Sequence, residues 1–178
     1  MGYNVNMTAI VGISKNNVIY IGADRGASDG DSIISMSRPK IHINGEWIFG
    51  YSGSVGVGQL IEFIKLPTID KDSDPYEIIR MDIVSKIKEL VDDLGVNGEE
   101  HYAEFLIGTQ GRLFGLSTMD WGVLEVEETS IGSGASICLG SLYTSASKTD
   151  PAKRIQVAIE SAIHYSPTCQ HPIDILSL

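Results

Sequence analysis

The sequence predicts an α+β fold in which two β-sheets stack between outer helices. Three observations carry this. Strand-like segments fall into an early block within residues 8–51 and a later block within residues 103–128. Each block is followed by segments whose apolar residues recur three and four apart, the helical period. Helices on the two outer faces would then cover every apolar face that two stacked sheets leave open. No linker, repeat or low-complexity stretch divides the 178 residues, and that length suits one domain.

The elements follow in order. Thr8–Ser14 (TAIVGIS) and Val18–Ala23 (VIYIGA) flank Lys15-Asn16-Asn17 and read as a hairpin. Asp24–Asp31 is polar and glycine-containing, which predicts a loop, with a short strand over Ile33–Met36. Lys40–Ile43 and Trp47–Tyr51 flank Asn44-Gly45, a strong hairpin turn signal. A helix is expected after Ser52-Gly53-Ser54 from Val55, Leu60, Ile61, Phe63 and Ile64, ending near Pro67. Asp74-Pro75 offers an N-cap and a first-turn proline. The helix it opens carries Ile78, Ile79, Ile83, Val84, Ile87, Leu90, Val91 and Leu94 on one face and stops at Gly95. Asp92–Glu100 is a polar loop. Ala103–Thr109, Leu113–Ser117 and Gly122–Glu128 read as three antiparallel strands. Gly132-Ser133-Gly134 opens a small-residue helical segment through Ser145. Asp150-Pro151 starts a last helix, and Ile173–Leu176 a last strand.

Composition excludes several classes of function. Hydrophobic residues make up 43% of the chain, so wholesale disorder is excluded. No apolar run approaches the ~20 residues that cross a bilayer, and no secretory pattern opens the chain, so membrane partners are not expected. Thirteen Lys and Arg against 23 Asp and Glu leave a net charge of −10. Such a chain is repelled by phosphate backbones, which argues against nucleic-acid partners. The expected location is the cytoplasm. Cys138 and Cys169 make no disulfide framework and no CxxC ligand pair, and read as buried thiols.

Some apparent motifs fail on chemistry. Asp70-Lys-Asp72-Ser-Asp74 has calcium-loop spacing, but the sixth position is Pro75 where glycine is required and the twelfth is Met81. Gly53-Ser-Val-Gly56-Val-Gly58 lacks the Gly-Lys-Ser/Thr of a phosphate loop and the third glycine of a dinucleotide site. Gly50-Tyr51-Ser52-Gly53-Ser54 misses the nucleophile-elbow pattern at its fifth position. His42, His101, His164 and His171 share no metal spacing, so no metal is expected.

One constellation remains. Thr8 begins the first strand, Asp24 closes the second, and Lys40 opens a later one. Gly53 ends the strand after that, and Ser133 follows the second strand block. Taken singly, each has an ordinary explanation: a strand threonine, a loop-capping aspartate, a surface lysine. The ordered set resembles the proteasome β-subunit and its bacterial relatives, the N-terminal-nucleophile hydrolases. The matching stretches are TAIVGI, VIYIGADRGAS, KIHINGEWIFGYSGSVGVGQL, QGRLFGL, IGSGASICLGSLY and DPAKRIQVAIESAIHYSPTCQHPIDIL, nearly the whole chain from Thr8. The resemblance is closest to the short stand-alone members of bacteria and phages. It implies a four-layer αββα sandwich, Thr8 as nucleophile, Asp24 and Lys40 as its polar support, Gly53 as oxyanion donor and Ser133 beside the amine. It further implies a peptide or protein substrate and a homo-oligomer, often a ring.

The chemistry needs these residue types. A threonine hydroxyl is a weak nucleophile until a base takes its proton. An N-terminal threonine supplies that base as its own α-amine, whose reference pKa is about 7.7–8.0. A nearby ammonium lowers the hydroxyl pKa, and a carboxylate compensates the partly buried lysine. A glycine N–H can face the developing oxyanion. This hydrolytic chemistry requires no organic cofactor either.

Two departures from the pattern stand out. Seven residues precede Thr8, and while Met7 is bonded to it the Thr8 nitrogen is an amide and no base. Residues 1–7 are therefore expected to be a leader or propeptide, with residues 8–178 the domain. Either trimming after a start at Met7 or self-cleavage would expose Thr8, although self-processing members usually carry glycine where this chain has Met7. The pattern also has an aspartate and a serine after the last long helix, where this chain offers Ser166 and Cys169. These departures support an alternative, a catalytically inactive member that serves as an assembly or scaffold component.

Overall fold

The computed structural model describes residues 4–5, 8–28, 32–70, 72–95, 102–147 and 150–178. Its strands form a six-stranded sheet, a four-stranded sheet and a small two-stranded one. The four-stranded sheet is built from β2 (Ile10–Lys15) and β3 (Val18–Asp24), flanked by β11 (Glu128–Ile131) and β12 (Ile173–Ser177) in the order β11-β2-β3-β12. The six-stranded sheet centres on β7 (Trp47–Ser54), which pairs on one side with β8 (Ala103–Thr109). Beyond β8 lie β9 (Arg112–Ser117) and β10 (Val123–Val126). β6 (Ile41–Asn44) pairs with Trp47–Gly50 of β7, and the short β1 (Asn4–Val5) pairs with Gly53 and Ser54. All these pairings are antiparallel.

Alternation along the strands separates three apolar cores, and three cores between flat elements mean four layers. On β7, Trp47, Phe49 and Tyr51 face outward into a core with Ile79, Ile83 and Ile87. The intervening Ile48 faces the other sheet, meeting Ile10, Ile19, Ile21, Leu106 and Leu113 in the central core. Along β2 and the residue before it the partition reverses: Ala9, Val11 and Ile13 pack outward against Ile155, Ala158, Ile159 and Ala162. The order helix, sheet, sheet, helix is the expected αββα sandwich.

The two outer helical layers start from the caps read in the sequence. Asp74 accepts from Tyr76 N at 3.0 Å at the start of α2 (Pro75–Ile78), which continues through a π-helical segment, Ile79–Ile83, into α3 (Val84–Asp93). Asp150 accepts from Lys153 N at 3.2 Å and opens α5 (Pro151–Tyr165), which packs beside α4 (Ala135–Thr144).

Four expectations need correction. The segment read as a loop over Asp24–Asp31 contains β4 (Gly26–Ser28), which pairs with β5 (Ile33–Ser35). The rest of that segment, residues 29–31, lies outside the described residues. The strand expected over Gly122–Glu128 is two strands, β10 in one sheet and β11 in the other. The chain changes sheets near Glu127, whose carbonyl accepts from Ser14 N at 2.7 Å. The helix expected across Val55–Ile64 is shorter: α1 (Val55–Gln59) tightens into a 3-10 turn over Leu60–Glu62. Gly58 in that helix lies against the Tyr51 ring, where an added Cβ would come within 2.0 Å. Thr8 precedes its strand rather than beginning it, since β2 starts at Ile10. His101 and most of the Asp92–Glu100 loop lie outside the described residues, as does Met7.

Candidate active site

Thr8, Asp24 and Lys40 meet between the two sheets at one end of the sandwich, and each is completely buried. Thr8 lies just ahead of β2, Asp24 ends the neighbouring β3, and Lys40 stands immediately before β6. The hairpin of β2 and β3 sets Ile10 opposite Ala23, so the start of one strand and the end of the other are forced together. That register brings Ala9 N within 3.0 Å of Asp24 Oδ1.

The Lys40 ammonium donates to three acceptors. Thr8 Oγ1 is 2.6 Å away, Asp24 Oδ1 is 3.0 Å away, and the Gly26 carbonyl is the third. All three ammonium protons therefore have partners, the condition under which a buried lysine stays charged. Burial nevertheless pushes the Lys40 pKa below its ordinary value, and the Asp24 carboxylate only partly opposes this. Asp24 is itself fully engaged. Its Oδ1 accepts from Ala9 N and Lys40, while Oδ2 accepts from Gly26 N and Gln170 N, each at 2.9 Å. The carboxylate thus ties together β2, the β3–β4 corner and the segment after α5.

The backbone around Thr8 is fixed from the opposite side. Gly134 N donates to the Thr8 carbonyl at 3.0 Å. Gly132 has φ +89°, and an added Cβ there would lie 2.4 Å from the same carbonyl, so only glycine lets the chain pass this close. These contacts set Ser133, whose Oγ accepts from Thr8 N at 3.2 Å.

Gly53 lies near the end of β7 with φ +95°. An added Cβ would come within 2.3 Å of the Tyr102 carbonyl. β6 covers the same edge of β7 only as far as Gly50, which leaves the edge at Gly53 and Ser54 for another strand. That edge takes Asn4–Val5 as an antiparallel strand.

The structure thus brings Thr8, Asp24, Lys40 and Ser133 into one bonded cluster, with Gly53 on the strand edge. The reading of the sequence missed several contributors. Gly26 supplies a carbonyl to Lys40 and an N–H to Asp24, and Gln170 supplies another N–H. Thr168 stands 2.9 Å from Ser133, Oγ1 to Oγ. Most of these act through backbone groups, which carry no residue-type signal. The hydroxyl pair Ser166 and Thr168 in SPTC was the one visible clue. Cys169, expected near the amine, is buried, with its sulfur 3.8 Å from Thr168 Oγ1. Burial, followed by the charge of Asp24, holds its thiol above the ordinary pKa.

The arrangement can lower the pKa of a hydroxyl and hold a nitrogen in place beside it. The fold that carries it is that of the proteasome-like N-terminal-nucleophile hydrolases. Among solved structures, BPH from Thiobacillus denitrificans superposes with a TM-score of 0.79 at 18% identity, covering 96% of this chain and 97% of that one. HslV from Trypanosoma brucei gives a TM-score of 0.71 at 17% identity, covering 96% and 98%. Anbu, an ancestral β-subunit from Yersinia bercovieri, gives 0.71 at 13% identity, covering 95% and 80%. No protein-family model matches the sequence, and comparison with curated proteins finds no match.

Proposed function

We propose that the chain is a threonine-type amide hydrolase, most simply a peptidase, in which Thr8 Oγ1 is the nucleophile once residues 1–7 are removed. The observation that carries this is the 2.6 Å contact from a buried, Asp24-compensated ammonium to a buried threonine hydroxyl. A core threonine needs no such partner, and a buried ion pair beside it brings a desolvation cost that structure alone does not call for.

In the mechanism, cleavage of the Met7–Thr8 bond frees the Thr8 α-amine. The neutral amine takes the Oγ1 proton as Oγ1 attacks the substrate carbonyl. The Lys40 ammonium stabilises the alkoxide character that develops on Oγ1, and the Gly53 N–H faces the oxyanion. The amine proton passes to the leaving nitrogen, the C–N bond breaks, and an ester to Thr8 remains. Water, deprotonated by the same amine, hydrolyses that ester and restores the hydroxyl. Neither a metal nor an organic cofactor enters these steps.

An extended peptide is the substrate the site suits. The β7 edge beside Gly53 already pairs with extended chain in the form of Asn4–Val5, so a substrate would take the same edge by strand addition. Self-association into a ring is part of the same proposal, on the likeness to BPH and HslV; light scattering of the purified protein tests it.

The deciding experiment combines intact mass, N-terminal sequencing and labelling with a β-lactone or with an epoxyketone such as epoxomicin, the compound complexed with BPH in a further structural neighbour. The expected result is a chain beginning at Thr8 and a single adduct on it, lost in Thr8→Ala. A chain that keeps residues 1–7 and never labels at Thr8 rejects hydrolysis and leaves the scaffold alternative.

A further inference from the structure

We propose that Thr168 is a positioning residue for the Thr8 nitrogen, acting through a relay of neutral hydroxyls, Ser133, Thr168 and Ser166. The inference rests on the reading of Thr8 as nucleophile. Its basis is an unbroken chain of contacts. Thr8 N donates to Ser133 Oγ at 3.2 Å, Ser133 Oγ lies 2.9 Å from Thr168 Oγ1, and Thr168 Oγ1 is bonded to Ser166 Oγ. Thr168 N also donates to Ser166 Oγ at 3.3 Å.

The relay is held at both ends. Ser166 N donates to Ala162 O at 2.8 Å, which fixes it to the end of α5. Gln170 N donates to Asp24 Oδ2, which fixes the other end to the counter-ion of Lys40. Asp24 is not available to the nitrogen, because each of its oxygens already accepts two hydrogen bonds. Glu104 is turned to Gly132 N, 3.1 Å away.

Direction is what Thr168 supplies. A hydroxyl can donate one proton and accept at its lone pairs. When Ser133 accepts from the Thr8 nitrogen, its own proton needs another acceptor, and Thr168 Oγ1 is placed to be that acceptor. Thr168 in turn donates to Ser166. Ser133 therefore presents a lone pair to the nitrogen, and the nitrogen's own lone pair stays turned toward the Thr8 hydroxyl. Without Thr168 the Ser133 proton is free to swing onto the amine and occupy the base. The relay is also uncharged. It stabilises an ammonium less than a carboxylate would, so the amine stays neutral to lower pH.

The test is the rate of β-lactone labelling at Thr8 between pH 5 and 9, followed by intact mass, in the wild type and three variants. Thr168→Val should slow labelling by about tenfold or more with little change in melting temperature. Thr168→Ser should recover most of the rate. Ser166→Asp should move the acid limb of the profile upward by about one pH unit. Wild-type rate and profile in Thr168→Val overturn the relay, as does a Thr168→Ser protein no faster than Thr168→Val. Should Thr168→Val fail to fold, the other two variants decide, and an unmoved acid limb in Ser166→Asp counts against the relay. Failure of the parent reading looks different: the wild type itself never labels, and the relay falls with it.

Discussion

Lys40 sets its ammonium 2.6 Å from the hydroxyl oxygen of Thr8, across 32 residues of chain and with no solvent reaching either side chain. Asp24 Oδ1 is 3.0 Å from the same ammonium. The charged pair and the threonine therefore behave as one unit, and removing one member should be felt by the other two.

Lys40→Met should abolish Thr8 labelling to the level of about a hundredfold loss or more, because the hydroxyl loses the charge that favours its ionisation. The same variant leaves Asp24 buried without its counter-ion, which costs about 3–5 kcal/mol of stability. Pairing it with Asp24→Asn should recover part of the stability and none of the labelling. Chemical denaturation and labelling, measured on the single and double variants, separate the two effects. Equal losses of stability in the single and double variants would contradict the coupling.

The lowered pKa of Lys40 has a definite pH signature. Because its folded pKa lies below the ordinary 10.5, the unfolded chain binds more protons between the two values. Stability linked to this residue therefore rises as pH climbs from the folded pKa toward 10.5. The stability difference between the wild type and Lys40→Met should grow in favour of the wild type over that window. Labelling should fall over the same window as the ammonium is lost. Denaturation midpoints and labelling rates at a series of alkaline pH values check both signs.

Gly53 and Gly56 should respond in opposite ways to alanine. Gly53→Ala places a Cβ at φ +95° and within 2.3 Å of the Tyr102 carbonyl, so it should cost about 1–3 kcal/mol from backbone strain and displace the proposed oxyanion donor. Labelling should drop by about a hundredfold. Gly56 sits in α1 with its nearest non-neighbour atom 4.0 Å from an added Cβ. Gly56→Ala should be neutral or stabilise by about 0.5–1 kcal/mol. Thermal melts of the two variants, run side by side, decide this.

Both cysteines should resist alkylation in the native protein. Burial pushes the Cys138 thiol up to about 12 and holds Cys169 above its usual value. The thiolate is the reactive form, so iodoacetamide at pH 8 should leave the native mass unchanged and add two groups after unfolding. Rapid native modification of Cys169 would mean that the segment after α5 opens in solution.

Much of the fold was legible because its signals are local. The Asn44-Gly45 turn, the Asp-Pro caps at 74–75 and 150–151, and the apolar stripe from Ile79 to Val91 each lie within a few residues. The misreadings came where distant packing overrides local pattern. Gly122–Glu128 reads as one strand, but the chain crosses from one sheet to the other at Glu127. Val55–Ile64 has helical spacing, yet it holds glycines at 56 and 58, the second against the Tyr51 ring, and only a short helix forms. Gly26–Ser28 is a run of small residues within a polar stretch, and becomes a strand because Ile33–Ser35 returns beside it.

The chain by itself determined the kinds of group present: a threonine, an aspartate, a lysine, a glycine and a serine, in an order that matches a known pattern. It also determined the acidic surface and the strands and helices that carry them. The tertiary structure decided which of these groups touch. The register of β2 on β3 and the closure of two sheets on each other put Thr8, Asp24 and Lys40 within hydrogen-bond reach. The return of the chain after α5 added Thr168 and the Gln170 N–H. Side-chain identity is written residue by residue, whereas distance between remote residues exists only once the apolar faces have been buried against one another.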